Sequence, residues 1–206
     1  LIRKIRSKGI GVIDELEFAG RYSKAVMIGI TGSNGKTTTT NLIHHILVNA
    51  NMDVGMAGNV GDSLARQVAE KDRDYFVIEL SSFQLDGMKE FVLDIGVLLN
   101  ITPDHLDRYE GEMQNYTDSK MKILELVKDD GALIYCHDDQ LVINEIEKCN
   151  TNVVLFPFSI NEKVDEGAYI EDQSLLIQVN QIQFNMLLQE LALQGKHNIF
   201  NSMAAA

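Results

Sequence analysis

The chain has 206 residues, 45% of them apolar, with 18 Lys plus Arg against 30 Asp plus Glu, a formal net charge of −12 and only two prolines. At this length roughly 70% of the unfolded surface is buried on folding, so a core forms without disulfide or metal staples and a disordered chain is excluded. The acidic balance argues against nucleic acid as the main partner, because phosphate-backbone binding needs clustered positive charge. Arg3, Lys4, Arg6 and Lys8 form the one dense basic cluster. Cys136 and Cys149 lie thirteen positions apart, with no CxxC and no histidine at metal spacing, which reads as two free thiols in a reducing cytoplasm. The longest apolar stretch, residues 95–99, is far short of the roughly 18 to 20 residues of a membrane span, and no secretory leader pattern is present, so membrane insertion is not expected. The chain starts at Leu1 and ends inside a helical pattern opened near His197, so it reads as a piece of a longer protein.

Residues 1–24 read as a lead-in segment and residues 25–206 as one domain. In chain order, strands are expected at 25–30, 54–56, 75–80, 95–100, 132–136 and 153–158. Amphipathic helices are expected at 36–50, 62–70, 115–127 and 140–148. The strand runs are apolar throughout rather than alternating, the pattern of strands covered on both faces, so this part predicts an α/β fold with a doubly wound, mostly parallel sheet. Beyond Phe158 the runs 168–171, 174–179 and 183–188 are separated by acidic or Asn-Gln turns, which predicts a small antiparallel β-meander appended to the sheet.

The segment Val26-Met-Ile-Gly-Ile-Thr-Gly-Ser-Asn-Gly-Lys36-Thr37-Thr38 is a buried strand, a glycine-rich turn and a helix start. That arrangement, a P-loop, presents unpaired backbone N–H groups and a positive helix end to phosphate oxygens. Gly32, Ser33, Asn34, Gly35, Lys36, Thr37 and Thr38 are therefore the candidate nucleotide-binding residues. Lys36 is expected on the β- and γ-phosphates, exposed on its turn, and Thr37 on Mg²⁺. The strict GxxxxGK[ST] pattern would need glycine where Ile30 stands, so the loop is a shortened form. No DxxG tetrad follows it and arginine-rich lid segments are missing, which counts against a GTPase and a small-molecule kinase.

Two further strand ends carry polar groups. Glu79 closes the run 75–80 before Ser-Ser-Phe-Gln84 and is placed to bind the nucleotide's Mg²⁺, with a solvated strand-end charge as the alternative. Asp104, His105 and Asp107 follow the next strand, a position that favours a metal or substrate role for His105. By periodicity alone Lys120, like Lys122, reads as a solvated helix lysine.

Six strings occur in an order that resembles the Mur ligases of peptidoglycan synthesis. They are Thr31-Gly-Ser-Asn-Gly-Lys-Thr-Thr38, Ala57-Gly-Asn59-Val-Gly61, Glu79-Leu-Ser-Ser-Phe-Gln-Leu85, Asn100-Ile-Thr-Pro-Asp-His-Leu-Asp-Arg-Tyr109, Tyr116-x-x-x-Lys120 and Gly195-Lys-His-Asn198-x-x-Asn201. The Glu-Leu-Ser-Ser-Phe-Gln-Leu string is similar to the D-glutamate-adding branch. The likeness covers only the central ATP-binding domain of such enzymes, the flanking amino- and carboxy-terminal domains being absent. It also accounts for the shortened loop, since the family's own form is Thr-Gly-x-x-Gly-Lys-[Ser/Thr].

The resemblance implies an ATP-dependent amide ligase that joins D-glutamate to UDP-N-acetylmuramoyl-L-alanine through an acyl phosphate. It implies two Mg²⁺ ions, the first on Thr37 and Glu79, the second on His105 and on Lys120 as its carbamate. It implies that Asn59, Ser81 and Gln84 face the UDP-muramoyl substrate, and that Asn198 and Asn201 lie near the adenine. For the asparagine pair, capping of the last helix is the alternative. Another ligase of this fold, such as a folylpolyglutamate synthase, or a non-catalytic nucleotide-binding module remains open at this point.

Overall fold

The computed structural model describes residues 4, 5 and 7–206; of the basic cluster, Arg3 and Arg6 lie outside the described residues. The first parallel layer comprises β1 (Val26–Thr31), β2 (Val54–Gly58), β3 (Tyr75–Glu79), β4 (Leu93–Leu98), β5 (Val127–Cys136) and β6 (Val154–Ser159). Between and around these strands run α1 (Glu15–Gly20), α2 (Lys36–Asn49), α3 (Leu64–Glu70), α4 (Ser82–Gly87), α5 (Met113–Leu126) and α6 (Gln140–Lys148). Then come β7 (Gly167–Glu171), β8 (Ser174–Val179), β9 (Ile182–Leu187) and α7 (Lys196–Ala205). All nine strands join one sheet in the order β2-β3-β1-β4-β5-β6-β7-β8-β9.

The expected doubly wound sheet and meander are both present, with one refinement. The meander is continuous with the sheet, because β7 pairs in parallel with β6 (Phe158 with Ala168) before β8 and β9 turn back antiparallel. Two short helices, α1 and α4, were not legible as such, since six residues give too few turns for a periodic pattern. Strand β5 starts five residues early, at Val127, which the helical pattern had claimed; Val127 instead pairs with Leu93 of β4.

Burial follows the alternation of each strand. Phe76 and Ile78 of β3 belong to a core layer with Leu16, Leu64, Leu85 and Ile123, whereas Val77 joins Ile28, Ile30, Ile43 and Val97 on the other face. Both faces are covered, so the strands are apolar throughout. The chain leaves β1 toward β3 and β2 on one side and later returns to β4 on the other. This makes the carboxyl end of β1 the point where strand order reverses, which is where open α/β sheets form their ligand crevice.

The side chain of Glu17, 1% exposed, fixes α1 to the turn before β4. Its oxygens accept the backbone N–H groups of Lys89 (3.0 Å), Glu90 (3.2 Å) and Phe91 (3.0 Å). Burial alone would raise its pKa; these N–H bonds and Arg21 outweigh it and hold the carboxyl below the ordinary glutamate value. Replacing it with alanine leaves those N–H groups without a partner, so Glu17→Ala is expected to cost the 206-residue chain about 2–3 kcal/mol in urea denaturation at pH 7. Because the folded pKa is depressed, the carboxylate's contribution is present above about pH 4.3 and fades as pH falls through the lower folded value. The gap between wild type and variant should therefore narrow on acidification, and a gap constant from pH 7 to pH 3 would contradict this account.

Candidate nucleotide and metal site

The loop after β1 reaches α2 through Gly35, whose φ of +87° is the left-handed conformation glycine tolerates. A Cβ there would run into the Asn201 side-chain oxygen. Gly35 is the N-cap of α2, and no side chain caps the first turn, so the N–H groups of a 14-residue helix are left for an anion. Lys36 departs from expectation: it is half-buried, and its Nζ donates to the carbonyls of Gly32 (2.8 Å) and Ser33 (3.0 Å) of its own loop. Burial pulls its pKa down from the ordinary lysine value, while Glu79 and Asp104 act in the opposite direction.

Glu79 is no solvated strand end, being 1% exposed. Thr37 Oγ1 donates to its Oε2 at 2.7 Å and Asn59 Nδ2 to its Oε1 at 2.8 Å. Gly58, at φ +99°, lets β2 approach so closely that a Cβ would strike the Glu79 carbonyl, and Asn59 N donates to that same oxygen. One carboxylate thus joins the ends of three segments. A threonine hydroxyl beside a fixed carboxylate suits Mg²⁺, a hard cation that takes few protein oxygens and keeps water and phosphate as its other ligands. Among the described residues no group of three or more His, Cys, Asp and Glu converges as a metal cage.

Lys120 departs furthest from its helical pattern. Residues Tyr116 and Lys120 share a face of α5, as their spacing implies, but that face is buried, each side chain being 1% exposed. Lys120 Nζ donates to the Gly32 carbonyl at 2.8 Å and lies 4.8 Å from the Tyr116 ring centroid. Burial, then the nearby Lys36 charge, bring its pKa down to about 7 against a weaker opposing pull from Asp104. Lys122, by contrast, pairs with Asp86 at 2.6 Å near the surface.

The loop itself is braced by groups to which the sequence motifs assigned no role. Ser33 Oγ donates to the Thr102 carbonyl (2.8 Å), accepts from Thr102 N (2.9 Å) and bonds the Tyr116 hydroxyl (3.0 Å). Asn100 Oδ1 accepts Asn34 N, and Asp139, the N-cap of α6, accepts Ile101 N. Asp139 carried a legible signal, an N-cap residue before an amphipathic run. The Ser33 bonds carried none, because they span 69 and 83 residues.

Asn34, Gly35, Thr38, Asn198 and Asn201 line one cleft of about 610 Å³, with Cys136 and Phe200 on its apolar side. Asn201 accepts from Thr39 Oγ1 and donates to Asn198. The N-cap of α7 is Gly195, so helix capping does not explain either asparagine. Burial pushes the Cys136 thiol up to about 12, which keeps it protonated and inert. Ser81 and Gln84 bond each other as the capping box of α4, which accounts for both without a ligand. His105 is exposed, in the left-handed conformation (φ +49°), with Nε2 3.6 Å from Asp104; it makes no hydrogen bond to Thr37, Glu79 or Lys120 among the described residues.

Three comparisons bear on this arrangement. The family model described as the Mur ligase middle domain matches residues 30–206. A protein of Bacteroides fragilis named UDP-N-acetylmuramoylalanine–D-glutamate ligase is 52% identical over 205 residues, which is all of this chain and 46% of that protein. The chain therefore spans a little under half the length of the curated relatives it matches. Among solved structures, a UDP-N-acetylmuramoyl-L-alanyl-D-glutamate–2,6-diaminopimelate ligase superposes with a TM-score of 0.71 at 20% identity, covering 92% of this chain and 44% of that one. The MurF ligase of Thermotoga maritima in complex with ADP gives 0.66 at 21% identity, covering 93% and 46%. The match of the family model to residues 30–206 and the identity near 50% over the whole chain lead to one conclusion: this chain belongs to the Mur ligase family, as its middle domain.

Proposed function

We propose that this chain is the ATP-binding middle domain of a cytoplasmic ligase that adds D-glutamate to UDP-N-acetylmuramoyl-L-alanine. The observation that carries the reading is the convergence on one loop of an uncapped helix N-terminus, the Thr37–Glu79 pair and two lysines that share the Gly32 carbonyl. The identity near 50% to proteins named for D-glutamate addition favours that branch over a folylpolyglutamate synthase or another Mur enzyme. No helix of the described residues is long and apolar enough to cross a membrane.

An amide does not form from a free carboxylate in water, because oxide is too poor a leaving group. Bound ATP supplies the remedy, a phosphoryl group that converts the carboxylate to an acyl phosphate, from which the amine of D-glutamate displaces phosphate. The protein's part is positioning and charge neutralisation rather than covalent chemistry. The α2 N-terminus and loop amides hold phosphate oxygens, and Lys36 leaves its loop carbonyls for them. Thr37 and Glu79 would hold the first Mg²⁺, with Asn59 fixing the Glu79 carboxylate; Asn59, Ser81 and Gln84 would face the muramoyl substrate. Asn198 and Asn201, which line the 610 Å³ cleft, would lie near the adenine. His105 and Lys120, the latter as its carbamate, would hold the second Mg²⁺. A buried lysine with a pKa near 7 suits that modification, since carbon dioxide adds only to the neutral amine.

The direct test is phosphate release by the full-length protein with ATP, UDP-N-acetylmuramoyl-L-alanine and D-glutamate; no release would overturn the reading. The 206-residue chain alone is expected to give none, because a ligase of this kind completes its site by closing flanking domains. In calorimetry, Lys36→Ala should weaken Mg-ATP binding at least about tenfold, as loss of a charge-assisted phosphate contact does, with the unfolding midpoint kept. Unchanged affinity would count against the phosphate loop. Lys120→Ala should abolish ligation while Lys122→Ala keeps it. With ¹³C-labelled bicarbonate, a carbamate signal absent from Lys120→Ala should grow as pH rises through about 7, where an ordinary lysine would still be an ammonium ion.

A further inference from the structure

Four arginines lie among the described residues, and three of them are paired. Arg21 meets Glu17 and Glu90, Arg66 meets Glu70, and Arg73 meets Asp53. Arg108 alone has no carboxylate within ion-pair distance among the described residues, in a chain with 30 acidic side chains. Its guanidinium carbon instead lies 4.3 Å from the centroid of the Phe83 ring. Phe83 is a large aromatic left 37% exposed on α4, four residues beyond the strand end that carries Glu79.

Phe83 is itself held in an aromatic stack. Its ring lies 5.7 Å from that of His105 and 6.2 Å from that of Tyr109, nearly parallel to the latter at 8°. Tyr109 is anchored through its hydroxyl to Asp86 and Ser119, both at 3.1 Å, and packs edge-on against Tyr116, the residue bonded to Ser33 of the phosphate loop. The stack therefore ties Arg108 to the same carboxyl edge of the sheet as Glu79 and Lys120. Stacking engages the flat face of a guanidinium and leaves its in-plane N–H donors free, and those donors match a carboxylate or phosphate in a two-pronged contact.

We propose that Arg108 is a substrate-binding residue that takes an anionic oxygen pair, carboxylate or phosphate, of one of the two acidic co-substrates, and that Phe83 is the positioning residue that holds it ready. The inference rests on the reaction proposed above. The triphosphate has its own cradle in the loop amides and Lys36, so the Arg108 ligand is the other anion brought to this edge.

The test uses the full-length protein and steady-state kinetics with each substrate varied in turn. Arg108→Ala should raise KM about 10- to 100-fold for one acidic co-substrate, the effect of losing one charge-assisted pair, with kcat changed less than about threefold. A rise confined to UDP-N-acetylmuramoyl-L-alanine assigns the anion to that substrate, and a rise confined to D-glutamate assigns it to the amino acid. Unchanged KM for both, or a rise for ATP alone, overturns the proposal. Phe83→Leu, which keeps an apolar side chain but removes the ring face, should shift the same KM in the same direction, and Phe83→Tyr should restore it. Equal KM in the leucine and tyrosine variants removes the positioning role. Should the wild type fail to ligate, the function proposed above falls by itself. Calorimetric binding of UDP-N-acetylmuramoyl-L-alanine and of D-glutamate to wild type and Arg108→Ala then still decides on Arg108, equal affinities for both ligands overturning its role.

Discussion

The Glu79 carboxylate is the joint on which the site is built. A charge 1% exposed at a strand end is tolerable only if each oxygen is satisfied, and here the two oxygens are taken by donors from different segments, Thr37 at the head of α2 and Asn59 just past β2. Those bonds hold the loop after β1, the end of β2 and the end of β3 in one register. The close approach they need is made by Gly58, since any Cβ there would strike the backbone of Glu79. The same carboxylate is therefore both a structural clamp and, in the proposed chemistry, the anchor for a cation.

On the other side of the loop the constraint is a carbonyl. Gly32 O accepts from both Lys36 and Lys120, which brings two amines toward a single oxygen with little water around them. Burial and mutual repulsion both disfavour the second positive charge, and the lysine deeper in the protein bears the larger effect. Tyr116 holds the arrangement from below, with its ring under the Lys120 amine and its hydroxyl on Ser33. A nucleotide that draws Lys36 off the loop would relieve this crowding, so the geometry of the loop, the burial of α5 and the chemistry assigned to Lys120 are parts of one electrostatic problem.

The remaining polar residues of the motifs divide between structure and site. Ser81 and Gln84 close the first turn of α4 on each other, and that helix then projects Phe83 toward His105 and Arg108. The capping box thus sets the position of an aromatic ring that has no bonding role of its own. Asn201, on α7, reaches the first turns of α2 across 162 residues of sequence through Thr39, and Asn198 bonds Asn201. This contact packs the last helix of the chain against the first one after β1, and forms the cleft between them.

Local chemistry determined most of the architecture. Strand-length apolar runs that do not alternate, set between helical stretches, indicate strands covered on both faces, so the parallel sheet was legible; so were the glycine-rich loop, the strand-end glutamate and the polar turns of the meander. The site residues were legible as types at spacings, because a P-loop, a carboxylate and a histidine each sit within a few residues of a strand end. Periodicity could not find α1 or α4, which are too short to show it, nor the early start of β5, where strand pairing with Leu93 overrode a helical pattern. It also misjudged Lys120, and the position of Lys36 on its turn misjudged the exposure of that side chain. A lysine's exposure depends on what packs over it, and what packs over Lys120 is a loop 88 residues away in the chain. Sequence spacing specified which groups point the same way along one element; only the tertiary structure decided which groups from different elements share an oxygen, because that is set by the order in which the strands pair.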